Sequence, residues 1–151
     1  MTHIDTPHPN SPTLPSPNPP TVGDLGFILD FWRRELRLMD WDLTLDTYRL
    51  KQWVAMGKNA YTAGFCWSNR CVGAAKIGLL EVEDLADDIA TSCRDIEVSL
   101  VHELLHLLMP VSASDGSDAD GERAINRVAE SLVRLRRLAD APFRYNVKEN
   151  P

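Results

Sequence analysis

Leu25, Phe27, Ile28, Phe31, Trp32 and Leu36 recur at helical spacing after Asp24, while Arg33, Arg34, Glu35 and Arg37 fall mostly on the other side. The pattern predicts an amphipathic helix of about four turns with its apolar stripe toward a core. Trp41 to Tyr48 (WDLTLDTY) then alternates large apolar and polar residues, the period of a half-buried strand. Two further strands are expected over Thr62 to Trp67 and Cys71 to Ile77, with Ser68-Asn69-Arg70 as the hairpin turn between them. Gly73, Ala74 and Ala75 are small, which suits a strand beside a substrate cleft or, more commonly, close packing against a neighbour.

Beyond the strands the pattern changes. Glu81 to Asp88 (EVEDLADD) reads as a solvated loop or short helix. Ile96 to Met109 (IEVSLVHELLHLLM) is apolar almost throughout, as in a helix crossing a core. Asp95 is placed to cap it, Glu97 to meet its dipole in the first turn, and Pro110 to stop it. Val111 to Gly121 (VSASDGSDADG) is a polar connection, and a last helix is expected from about Glu122 to Leu138.

Composition separates a tail from a domain. Seven of the ten prolines lie between Pro7 and Pro20, among Ser, Thr and Asn. Residues 1–21 have too few apolar groups to build a core and are expected to be disordered, with His3 and His8 solvated. Residues 22–147 are expected to form one domain, and 151 residues with 44% hydrophobic content suit that size. The net charge of −6 argues against a general nucleic-acid binder. Cys66, Cys71 and Cys93 make no disulfide framework and show no CxxC spacing. No apolar run is long enough to span a bilayer and no signal-peptide pattern is evident, so cytoplasmic residence is the expectation.

The densest chemistry lies in His102-Glu103-Leu104-Leu105-His106, the HExxH pattern. At about 100° per residue, two histidines four apart lie about 40° apart on one face, where both can reach one ion. Glu103 projects elsewhere, as a base rather than a ligand. Such a pattern also arises by chance, with both histidines as ordinary core or surface residues. Here half of the four histidines fall in the motif, among leucines that imply burial, and buried imidazoles need polar partners.

A catalytic zinc takes three protein ligands and leaves a position for water. Leu107, Leu108, Met109 and Pro110 follow His106 without a third histidine at the HExxHxxGxxH spacing, so a carboxylate from a later helix is required. Glu122 and Glu130 are the candidates. Glu122 lies about 20° from Ala129 and Val133, on the apolar side of the last helix; Glu130 lies about 80° from Glu122, toward Arg123 and Arg134. The helical wheel therefore favours Glu122, with a plain dipole-stabilising acid as its alternative role. Asn126 follows one turn later and could orient a metal-bound imidazole.

HELLH, a polar loop and then GERAIN on a second helix resemble the gluzincin class of zinc metallopeptidases. The small size, the tryptophan before the first strand and the late HELLHLL are also similar to compact phage- and prophage-associated zincin-like proteins and to the ImmA/IrrE metallopeptidases. The motif likeness covers about Ile96 to Leu138, and the large second subdomain of typical gluzincins is missing. The resemblance implies a minimal zincin-like α+β domain: a small twisted sheet packed with an N-terminal helix, an HExxH helix and a C-terminal glutamate helix. It implies zinc held by His102, His106 and Glu122, Glu103 as general base, and hydrolysis of a peptide or protein substrate, with Tyr145 as one possible donor to the intermediate. The alternative is a catalytically weak or inactive zinc-binding regulatory or interaction protein. A nucleic-acid role through Arg123, Arg127, Arg134 and Arg137 is weighed against a solvated helix face, which the acidic balance favours.

Overall fold

The computed structural model of the chain describes residues 22–59, 61–85, 94–109 and 119–140. Among the described residues, four α-helices and a three-stranded sheet make a mixed α+β architecture. A 3-10 turn at Val22–Asp24 leads into α1, Leu25–Glu35. This helix buries Leu25, Ile28, Leu29 and Trp32, but Phe27 points outward and is 60% exposed. Arg37 takes φ 55°, and the amides of Arg37 and Leu38 return to the carbonyls of Arg34 and Arg33. This left-handed residue closes the helix end and drives Leu38 into the core, at 1% exposure.

The strands are β1 (Asp42–Tyr48), β2 (Gly64–Asn69) and β3 (Ala74–Leu80), in the order β1-β3-β2. Central β3 runs parallel to β1 and antiparallel to β2. A central strand is covered on both faces, so its sequence AAKIGLL carries no clean alternation. Ala75, Ile77 and Leu79 join the main core with α1, while Leu80 packs with Trp53 and Phe65 on the opposite face. Trp53 comes from α2 (Leu50–Ala55), a short helix that hydrophobic periodicity did not announce.

The hairpin lies further along the chain than expected. Ser68 and Asn69 remain in β2, and the turn occupies residues 70–73, where Gly73 has φ 63°. The Asn69 side chain accepts from the Cys71 amide, which shapes the turn, and β3 begins only at Ala74. Part of the acidic stretch is also structural: Glu81 and Asp84 both pair with Arg49, and the Asp84 carboxylate accepts from the Leu50 amide.

Two further helices complete the core, α3 (Ile96–Leu108) and α4 (Ala119–Asp140). Leu100, Val101 and Leu104 of α3 are fully buried and meet the face of α4 that buries Ile125, Ala129 and Val133. At about 1.5–3 kcal/mol for each buried large aliphatic side chain, this contact is a main source of stability. None of the described helices is long and apolar enough to cross a membrane. The expected tail at 1–21 and the connection at 110–118 lie outside the described residues.

Candidate metal centre

Asp95 starts α3 as anticipated: its side chain accepts from the amides of Glu97 at 3.1 Å and Val98 at 3.4 Å. Almost every residue of the helix up to Leu107 is then buried, so the helix has little freedom to rotate. At its far end Arg70, from the β2–β3 turn, donates to the carbonyls of His106 (3.3 Å) and Leu107 (3.0 Å). The cation satisfies carbonyls that the helix end leaves open and ties the hairpin to the motif.

His102 and His106 project toward the start of α4. Their Nε2 atoms are 3.0 Å apart, with rings at 75° to each other. Glu122 closes the triangle, with Oε2 3.3 Å from His102 Nε2 and Oε1 3.6 Å from His106 Nε2. Zinc bonds of about 2.0–2.2 Å at tetrahedral angles place neighbouring donor atoms about 3.3–3.6 Å apart. The two separations to Glu122 match that range and the one between the imidazoles is slightly shorter, so the donor set fits one small cation. The histidine side chains are 14% and 23% exposed and that of Glu122 is 48% exposed, so the cluster opens to solvent on the carboxylate side. Burial, then the charge of His106, holds the His102 imidazole below its usual range against the opposing influence of Glu122 and Asn126. A neutral imidazole is the form that binds metal. His102 Nδ1 is buried without a hydrogen-bond partner.

Glu103 lies about 60° round α3 from His106 and about 100° from His102, pointing toward the head of β2, and is 6% exposed. A Cβ on Gly64 would stand 2.5 Å from Glu103 Oε1 and 2.8 Å from its Cγ. Only glycine at the head of β2 leaves room for this carboxyl. Burial, reinforced by the charge of Glu122, pushes Glu103 up to about 8, while Lys58 pulls it back. Cys66 lies on the same side of β2. Burial and then the charge of Glu103 push its thiol up to about 11, opposed by Arg70.

A second polar cluster locks α4 onto α3. Glu97, which the sequence places in the first turn to meet the helix dipole, is wholly buried. It accepts from the Trp32 indole at 2.9 Å, from Arg136 at 2.8 Å and from Arg137 at 2.9 Å. Arg137 also makes a two-pronged pair with Asp95 at 2.6 and 2.9 Å. Burying a carboxylate requires this many donors. The arrangement fixes α4 along its axis and so sets where Glu122, near its start, arrives.

The structure thus brings His102, His106 and Glu122 together and leaves Glu130 exposed outside the group. The arginine stripe does not act as one surface: Arg137 is committed to Asp95 and Glu97, and Arg123 pairs with Asp120 at 2.9 Å. His3, His8, Cys93 and Tyr145 lie outside the described residues. Gly64, Lys58 and Arg70 shape the site, roles without a sequence signal because each reaches it from a segment far away along the chain. Compared with protein-family models, with curated proteins and with solved structures, the chain gives no match.

Proposed function

We propose that this chain is a minimal zincin-like metallopeptidase of gluzincin type, in which His102, His106 and Glu122 hold zinc and Glu103 serves as general base. The observation that carries the reading is the donor triangle of 3.0, 3.3 and 3.6 Å beside a buried carboxyl on the same helix. Mixed histidine and carboxylate ligation suits zinc. When bound, zinc supplies Lewis acidity and brings the pKa of coordinated water to about 7.

The chain's own residues supply the rest. Glu103 is shielded from bulk water and held by its helix against Gly64. Burial and the charge of Glu122 raise its carboxyl well above the ordinary carboxylate range, which makes it a stronger proton acceptor that can later return the proton to a leaving amine. Glu122 balances cationic charge at the site and, being half-exposed, lies where an extended peptide can approach. Glu97 and its arginines hold α4 in place, while Arg70 holds the end of α3.

Metal analysis of the purified protein and cleavage of an unstructured protein such as casein test the proposal. One zinc per chain and chelator-sensitive cleavage are expected. Glu103→Ala is expected to keep the zinc and lose the cleavage; a fully active variant refutes the assignment. Bound zinc with no cleavage of any substrate supports instead a regulatory zinc-binding protein.

A further inference from the structure

The outer face of α4 carries a second apolar stripe that the candidate metal centre does not use. Ala124, Val128, Ser131, Leu135 and Leu138 are all exposed. They follow one another at intervals of four, three, four and three residues, the spacing that keeps side chains along one straight helical seam. Val128 is 40% exposed, Leu135 63% and Leu138 58%, whereas Ile125, Ala129 and Val133 on the opposite face are buried. At 1.5 Å per residue the seam is about 21 Å long.

Its two borders differ. Arg127 and Arg134, both exposed, line one side, and Leu132 and Ala139 line the other. Among the described residues Arg127 and Arg134 stand without an ion pair, unlike Arg123, Arg136 and Arg137. Next to Arg134 and Leu138 a cavity of about 460 Å³ opens between α4 and the start of α3, walled by the buried valines Val98 and Val133 with Asp95, Glu130 and Arg137 beside them. A seam, a cationic border and, beyond Arg134, a recess of mixed lining therefore follow one another round α4, with Leu138 shared by the seam and the recess.

We propose that this surface docks an amphipathic helix of a partner protein, one whose aliphatic seam is bordered by acidic residues and which seats an apolar side chain in the cavity. Charge selects this occupant. A second copy packed antiparallel sets Arg127 and Arg134 against their own counterparts, and a parallel copy sets them against Leu132 and Ala139, with no charge gained. An anionic bilayer is matched by helices with many basic residues beside a broad apolar sector. Here Glu130 interrupts the basic side and Ser131 the apolar one.

The test titrates the full chain with two labelled synthetic helices, both with leucine along the seam, one bordered by glutamate and one by lysine. Fluorescence anisotropy is expected to show the glutamate helix binding at least tenfold more tightly. Leu135→Asp is expected to weaken it at least tenfold, and Arg127→Glu with Arg134→Glu to reverse the preference. That reversal is a gain that a misfolded variant cannot show. Equal binding of the two helices, no binding, or indifference to these variants overturns the proposal. Sedimentation showing a dimer that Leu135→Asp dissolves, or binding only to phosphatidylglycerol vesicles, overturns it in favour of a second copy or a lipid surface.

Discussion

Replacing Glu103 by glutamine is expected to change how stability depends on pH, apart from any effect on catalysis. The metal-free protein buries a carboxyl whose ordinary value of 4.5 is pushed up to about 8 by burial and then by Glu122. A group raised in the folded state favours folding in its protonated form, so its contribution is intact below 4.5 and is lost as pH climbs through about 8. Each pH unit in that window costs about 1.4 kcal/mol. About 3 kcal/mol is therefore lost by pH 7 and about 5 kcal/mol beyond pH 8. Glutamine fills the same space and does not ionise. Urea unfolding in the presence of a chelator, from pH 5 to pH 9, should show the variant gaining about 4 kcal/mol on the wild type across the range. His102 is shifted down and acts in the opposite sense, losing stability as pH falls, but it does so in both proteins and drops out of the difference. A difference that stays flat to within about 0.5 kcal/mol refutes the buried-carboxyl argument.

Gly64→Ala should force the Glu103 carboxyl from its seat, since the new Cβ meets Oε1 at 2.5 Å. Zinc should remain bound while casein cleavage falls at least tenfold, and unchanged cleavage contradicts the cradle. Glu97→Ala leaves Arg136 and Arg137 facing a buried void and should cost about 3–5 kcal/mol, seen calorimetrically as a melting point lower by more than about 10 °C. A loss below about 1 kcal/mol would mean that solvent reaches the cluster. In iodoacetamide labelling at pH 8 with peptide mapping, exposed Cys71 should react far faster than Cys66, whose thiol is pushed up to about 11 by burial. Comparable rates would show that the β2 face is open.

The readable parts of the site were those carried by one helix at a time. Histidines four apart on α3 needed only the helical period to be placed together, and the apolar face of α4 told Glu122 from Glu130. Parts that depend on packing between elements were hidden. Glu97 shares its side of α3 with Val101 and Leu104, four and seven residues on, and an acid there demands cations. Adjacent Arg136 and Arg137 are the available signal, but the helical wheel groups Arg137 with a solvated arginine face. The contact of Gly64 with Glu103 has no local signature, because it joins the first residue of a strand to a helix that follows much later. Hairpin placement differs for a local reason: a small residue beside Ala74 and Ala75 reads as strand, whereas the positive φ of Gly73 ends the turn.

The order of strands in the sheet has a kinetic consequence. β2 and β3 meet across a turn of only residues 70–73, whereas β1 must wait for everything between Tyr48 and Ala74 to loop round before it lies parallel to β3. Loop-closure entropy makes the first event fast and local and the second slow. The hairpin is thus the natural nucleus, and for a time one edge of β3 stands bare, so the moment of greatest exposure to intermolecular strand pairing comes during refolding, before β1 docks.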